Sequence, residues 1–130
     1  MSVTLNTSLQ NLQVDSWGTD LNLGFIDIYS GSQPAANTAP TGVLLVSIAL
    51  AADAYSAASS GSAVTGALSG VAVATGTAGY AQQRNAANTR WMYGSVTDTG
   101  GGGDVELSTL SITLGVTVGL GQSTITQPAS

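Results

Sequence analysis

Residues 79–97, GYAQQRNAANTRWMYGSVT, decide the fold class. Two runs suited to strands, Gly79 to Arg84 and Thr89 to Thr97, flank Asn85-Ala86-Ala87-Asn88. Asparagine tolerates the left-handed backbone that turns require, so the segment predicts a β-hairpin. Side chains alternate along a strand. In the second arm Trp91, Tyr93 and Ser95 therefore share one face, and Arg90, Met92 and Gly94 the other. Arg84 and Arg90 fall on facing arms and are expected to pair with Asp27 or Asp53.

On either side of this hairpin more short strands are expected, punctuated by Gly and Pro. Phe25 to Tyr29 is β-branched and aromatic, which suits a strand. Ser30 to Gly42 holds two of the three prolines and reads as a loop. Val43 to Leu50 is a continuous apolar run, which fits a strand covered on both faces. The Ser/Ala/Gly-rich residues 55–78 suggest strands with a turn at Ser69-Gly70, with a helix as the alternative for their start. Asp98 to Gly103 reads as a flexible loop because of four successive glycines. Strands are then expected over 104–108, 114–118 and 122–126, and a frayed tail over 127–130.

Residues 4–17 predict a short helix, since Leu5, Leu9 and Leu12 recur at i, i+4 and i+7. Thr4 or Asn6 would cap it, and Gly18 would stop it. The expectation is a mainly β chain: an antiparallel β-sandwich or barrel-like domain over 19–130, preceded by a helical arm over 1–18.

The composition excludes much chemistry. The chain has two arginines, no Lys, no His and no Cys among its 130 residues. No Ser-His-Asp triad, thiolate nucleophile, lysine Schiff base or ordinary zinc site can be built. Seven scattered carboxylates give a net charge of −5. Two cations neutralise few phosphates, so no nucleic acid and no anionic membrane is expected as partner. The run Val43 to Ala52 is too short to span a bilayer. The opening MSVTLNTSLQN lacks the basic and apolar regions of a secretory signal, so the chain is expected to fold where it is made. Large apolar side chains are few, which points toward association for further burial.

Carboxylate chemistry remains. Asp98, Asp104 and Glu106 would make a calcium corner, but a solvated strand face is the preferred reading. Gly100 to Gly103 lacks the Lys of a phosphate loop. Tyr80, Trp91 and Tyr93 would line a sugar site or simply pack the sheet. No catalytic residue, cofactor or metal is expected.

Three segments carry a resemblance: FIDIYSGSQPA (Phe25–Ala35), APTGVLLVSIAL (Ala39–Leu50) and the long piece Ala74–Val118. With the amphipathic N-terminal helix, their order resembles a group of small virion-associated proteins of tailed bacteriophages. The middle, residues 51–72, departs from that pattern by its plainness. The resemblance implies a structural virion protein that decorates or cements the capsid. Its partners would be the major capsid protein and further copies of itself, with assembly in the host cytoplasm. Leu5, Leu9 and Leu12, within the segment Ser2 to Leu12, and Trp91 and Tyr93 are the expected interface residues. The alternative is a tail or head fibre-type module recognising host glycan through Tyr80, Trp91 and Tyr93. An enzyme acting through Asp104 and Glu106 is a distant third.

Overall fold

A computed structural model of the protein describes residues 6–53 and 55–126. Leu5 and the tail 127–130 lie outside the described residues. The chain is mainly β, with one N-terminal helix and a curled mixed sheet that makes a half-barrel.

The helix α1 runs Thr7–Leu21. Asn6 is the cap: its side-chain oxygen accepts the Leu9 N–H at 3.0 Å, which satisfies one of the free donors at a helix start. The helix passes through the expected stop at Gly18, so a boundary at residue 18 falls inside it. Its buried face is Gln10, Val14, Gly18 and Leu21, and Leu9 and Leu12 point outward at 42% and 66% exposure. Gly18 is needed for contact rather than termination. A Cβ there would lie 3.2 Å from Tyr55 Cβ, a tight contact, so glycine eases the close seating of the helix on Tyr55. The chain leaves the helix through Leu23, held at φ 62°, and Gly24 N–H closes on Leu21 O at 2.8 Å.

The main sheet comprises β1 (Phe25–Tyr29), β2 (Leu44–Ala49), β3 (Ser62–Val64), β4 (Leu68–Val71), β6 (Tyr80–Arg84), β7 (Trp91–Asp98), β8 (Val105–Leu107) and β10 (Thr117–Thr126). Its order is β2-β1-β6-β7-β8-β10-β3, with β4 also on β10. The strands β5 (Gly76–Thr77) and β9 (Ser111–Ile112) form a small second sheet. The long β10 pairs with β4 through residues 117–120 and with β3 through 124–126. The sheet curls until β4 reaches β2, where Val73 N–H donates to Leu45 O at 2.8 Å. Inside the curl lie Ile26, Ile28, Val46, Ile48, Leu107 and Leu120, all at 1% exposure or less. Leu45 and Val46 are both fully buried, so β2 is covered on both faces as its apolar run predicts.

The expected hairpin is present, with Tyr80 opposite Ser95 and Arg84 opposite Trp91. Three expectations change. Residues 114–126 give one strand from Thr117, with a bulge between Leu120 and Gln122, instead of two strands. Ser69 and Gly70 lie inside β4 rather than at a turn. A Cβ at Gly70 would come within 3.0 Å of Ser47 O, so the glycine lets β4 lie flat on β2.

The third change is that the sheet is not wholly antiparallel: β7 and β8 run parallel. A parallel neighbour ordinarily needs a crossover of a dozen residues or more. Here the glycine run replaces it. The chain turns after Asp98, with Gly101 N–H on Asp98 O at 3.0 Å. It doubles back over Thr97, whose Oγ1 accepts Gly103 N–H at 3.0 Å. Side chains at Gly101 or Gly103 would come within 2.6 and 2.9 Å of Thr97. The run is thus tied down by hydrogen bonds rather than the free loop its composition suggests.

On the inner side of the sheet, the side Gln83 shares with Ile26, a buried polar group ties β6 and β10 to Tyr55, against which Gly18 of the helix packs. Tyr55 Oη donates to Gln83 Oε1 and lies 3.0 Å from Ser123 Oγ. Burial pushes the Tyr55 hydroxyl up to about 12, because a phenolate there would lose its water.

Candidate functional site

One face of β1, β6 and β7 carries the aromatic and charged residues that the sequence singles out. Across the strands Tyr29 faces Tyr80, Asp27 faces Gln82, which faces Tyr93, and Phe25 faces Arg84, which faces Trp91. Tyr29 and Tyr80 stack at 5.3 Å, and Tyr93 meets Tyr80 edge-on at 5.6 Å. Such pairs add packing energy beyond their area.

These rings hold the Pro-containing loop 30–43 across the face. Trp91 Nε1 donates to Ala36 O at 3.0 Å, and Tyr93 Oη donates to Thr38 O at 2.7 Å. Tyr80 Oη accepts Thr41 N–H at 2.9 Å and donates to Thr41 O. Ser30 N–H on Val43 O, at 3.0 Å, closes the base of the loop. Gly42 at φ 82° makes that closure possible, since a Cβ there would strike Ser30 O at 2.1 Å. Trp91 and Tyr93, expected at an interface, are thus engaged by their polar atoms within the chain. Tyr80, at 1% exposure, has no open face for a sugar.

Both arginines are paired. Arg84 Nε meets Asp27 Oδ2 at 2.7 Å, and Asp27 Oδ1 accepts from Ser47 Oγ at 2.5 Å. The Arg84 guanidinium also lies 4.3 Å above the Phe25 ring. Arg90 makes a two-pronged contact with Asp20 near the helix end, Nε to Oδ2 at 2.9 Å and Nη2 to Oδ1 at 2.6 Å. The Arg90 hydrogen bond holds the Asp20 carboxyl below its usual value. Asn85 aims Arg90 by organising the hairpin tip. Its Oδ1 accepts Thr89 N–H at 2.9 Å and Arg90 N–H at 3.2 Å. The sequence suggests Asp27 as a partner but not Asp20, and Asp53 sits exposed in a turn.

Two cavities share Trp91 as a wall. The larger, about 630 Å³, opens between α1, the hairpin tip and the loop. Trp17, Asp20, Asn37, Thr89, Arg90, Trp91 and Met92 line it. The smaller, about 350 Å³, lies beneath the loop beside Asp27, Tyr29, Pro40 and Arg84. Trp17 had no signal in the sequence beyond its ring size, because its neighbour Trp91 is remote along the chain.

The acidic residues near the glycine run do not converge. Asp104 Oδ2 accepts Ser95 N–H at 3.0 Å, and Glu106 Oε1 accepts Gly100 N–H at 3.1 Å. Among the described residues no three His, Cys, Asp or Glu side chains gather as a metal site. Nor is any helix there long and apolar enough to cross a membrane. Comparison of the chain with protein-family models, curated proteins and solved structures gave no match.

Proposed function

We propose that the protein is a structural component of a tailed-phage virion, a decoration protein that binds the major capsid protein and further copies of itself. The observation that carries this reading is the outward face of α1. The helix is fixed to the domain by Val14, Gly18 and Leu21, yet Leu9 and Leu12 stand in solvent at 42% and 66% exposure. Exposed leucines on a docked helix suit an interface with a neighbour.

A second apolar surface adds support. Val71, Val73, Leu114 and Val116 are each more than half exposed. Backbone bonds Ala72 N–H to Val116 O and Gly115 N–H to Ala72 O bring them together. They lie at the 117–120 end of β10, whereas β3 and the helix lie toward its 124–126 end. A cementing protein contacts at least two neighbours, and many weak contacts on a lattice add through avidity. Five of the seven carboxylates, Asp15, Asp20, Asp27, Asp104 and Glu106, accept bonds from the chain's own groups, a structural use of charge.

The test is co-sedimentation of the full chain with shells assembled from the same phage's major capsid protein. Removing residues 1–16 would also strip Val14 from the core, so Leu9→Ser with Leu12→Ser is the cleaner variant. It is expected to keep its thermal melt and lose most shell binding. Full occupancy by the double variant would sink the helix interface, and failure of the unaltered chain to bind shells would sink the decoration reading.

A further inference from the structure

The larger cavity brings together both tryptophans of the chain and one of its two arginines. We propose that this cleft between Trp17 and Trp91 binds a neutral saccharide. The inference stands apart from the decoration reading, since it uses neither Leu9 and Leu12 nor the valine patch.

The ligand class follows from the lining. Trp91 has its indole N–H committed to Ala36 O, which fixes the ring, and its side chain forms a wall of the cavity. Trp17 packs partly on the core and supplies the second indole. A pyranose ring presents C–H groups to an aromatic face and hydroxyls around its rim. The Asp20–Arg90 pair suits that rim, because it offers an acceptor and a planar donor side by side. Neighbouring hydroxyls on a sugar each donate and accept, so they match such a pair. The pair is also preorganised: Asn85, at 5% exposure, fixes the backbone on which Arg90 is carried.

Charge selects the neutral members of the class. The two charges in the lining cancel, and the chain as a whole carries −5. Arg90 has no surplus charge to offer a carboxylate, sulfate or phosphate. Acidic glycans and nucleotides would meet a net repulsive field. The volume of about 630 Å³ falls in the range of small-ligand sites. Tyr80, Trp91 and Tyr93, which the sequence offers as an alternative sugar site beside simple sheet packing, thereby give way to Trp17, Asp20, Arg90 and Trp91.

The two tryptophans make the test direct, because no other indole in the chain contributes to fluorescence. The full chain is titrated with neutral oligomers of glucose, mannose, galactose and N-acetylglucosamine, and with sialylated and sulfated counterparts. The expected result is a saturable emission change with at least one neutral oligomer at millimolar concentration or below. Calorimetry with that oligomer should then show Arg90→Gln weakening binding by at least about tenfold. Trp17→Ala should weaken it at least as much. Arg90 is 71% exposed, so its replacement leaves the fold intact and keeps the test readable if Trp17→Ala unfolds. No saturable change with any neutral oligomer overturns the proposal. So does tighter binding of the acidic counterparts, or unchanged affinity in Arg90→Gln.

Discussion

The two ion pairs among the described residues flank one tryptophan and differ in their exposure to water. Arg84 and Asp27 sit on the sheet face, their side chains 21% and 4% exposed; Arg90 and Asp20 sit at the hairpin tip at 71% and 31%. The chemistry is the same and the consequences differ. A buried charge without its partner is costly, whereas an exposed one is rehydrated. The first pair locks the sheet, with Ser47 and Phe25 completing its surroundings. The second is cheap to disturb and borders a cavity.

The largest expected effect comes from breaking the buried pair. Arg84→Ala should lower unfolding stability by about 3–5 kcal/mol, because Asp27 is left charged and covered. Urea denaturation measures it, and a loss below about 1 kcal/mol would put the pair in the same class as the tip. Replacing both partners together, Asp27→Leu with Arg84→Met, should recover most of that loss, since the pair's own desolvation disappears with it. Failure of the double variant to improve on Arg84→Ala would mean the polar contacts, not the orphaned charge, set the cost.

Salt sharpens the contrast next. At about 1 M salt the screening length falls to about 3 Å. Any destabilisation in Asp20→Asn or Arg90→Gln should then vanish, while that of Arg84→Ala persists. The smallest effect is in acid. Arg90 lowers the folded value of Asp20 below the ordinary 3.8, so the contribution of Asp20 is present above that value. It is lost as pH falls through the lowered folded value. Melting temperatures of the unaltered chain and Asp20→Asn should converge under such acid and differ slightly near neutrality. Divergence on acidification would reverse the assigned sign.

How much of this was legible depended on range along the chain. The hairpin was readable because both arms and the asparagine turn are contiguous. The helix was readable as a helix but not in its orientation. Leu5, Leu9 and Leu12 repeat with the same spacing as Val14, Gly18 and Leu21, and the leucines carry the larger apolar surface. The second stripe wins toward the domain because Gly18 admits Tyr55, a contact that no local pattern announces. The loop 30–42 was readable from its prolines and glycines, but not the three aromatic side chains that hold it. The cleft was invisible, because Trp17 and Asp20 reach Trp91 and Arg90 only once the helix has docked.

Local pattern and composition were enough for the β-rich class, the N-terminal helix, the central hairpin and the absence of cysteine, histidine and lysine chemistry. Those are matters of alternation, turn residues and composition, which act over a few residues. Tertiary structure alone decided which carboxylate each arginine meets, that β8 runs parallel to β7, and that two distant indoles face one cavity. Each depends on closing a long stretch of chain against its entropy. What repays that closure is burial, and in this protein it is helped by glycines at residues 18, 70, 101 and 103, where a missing side chain leaves room for Tyr55, the β2 backbone and Thr97.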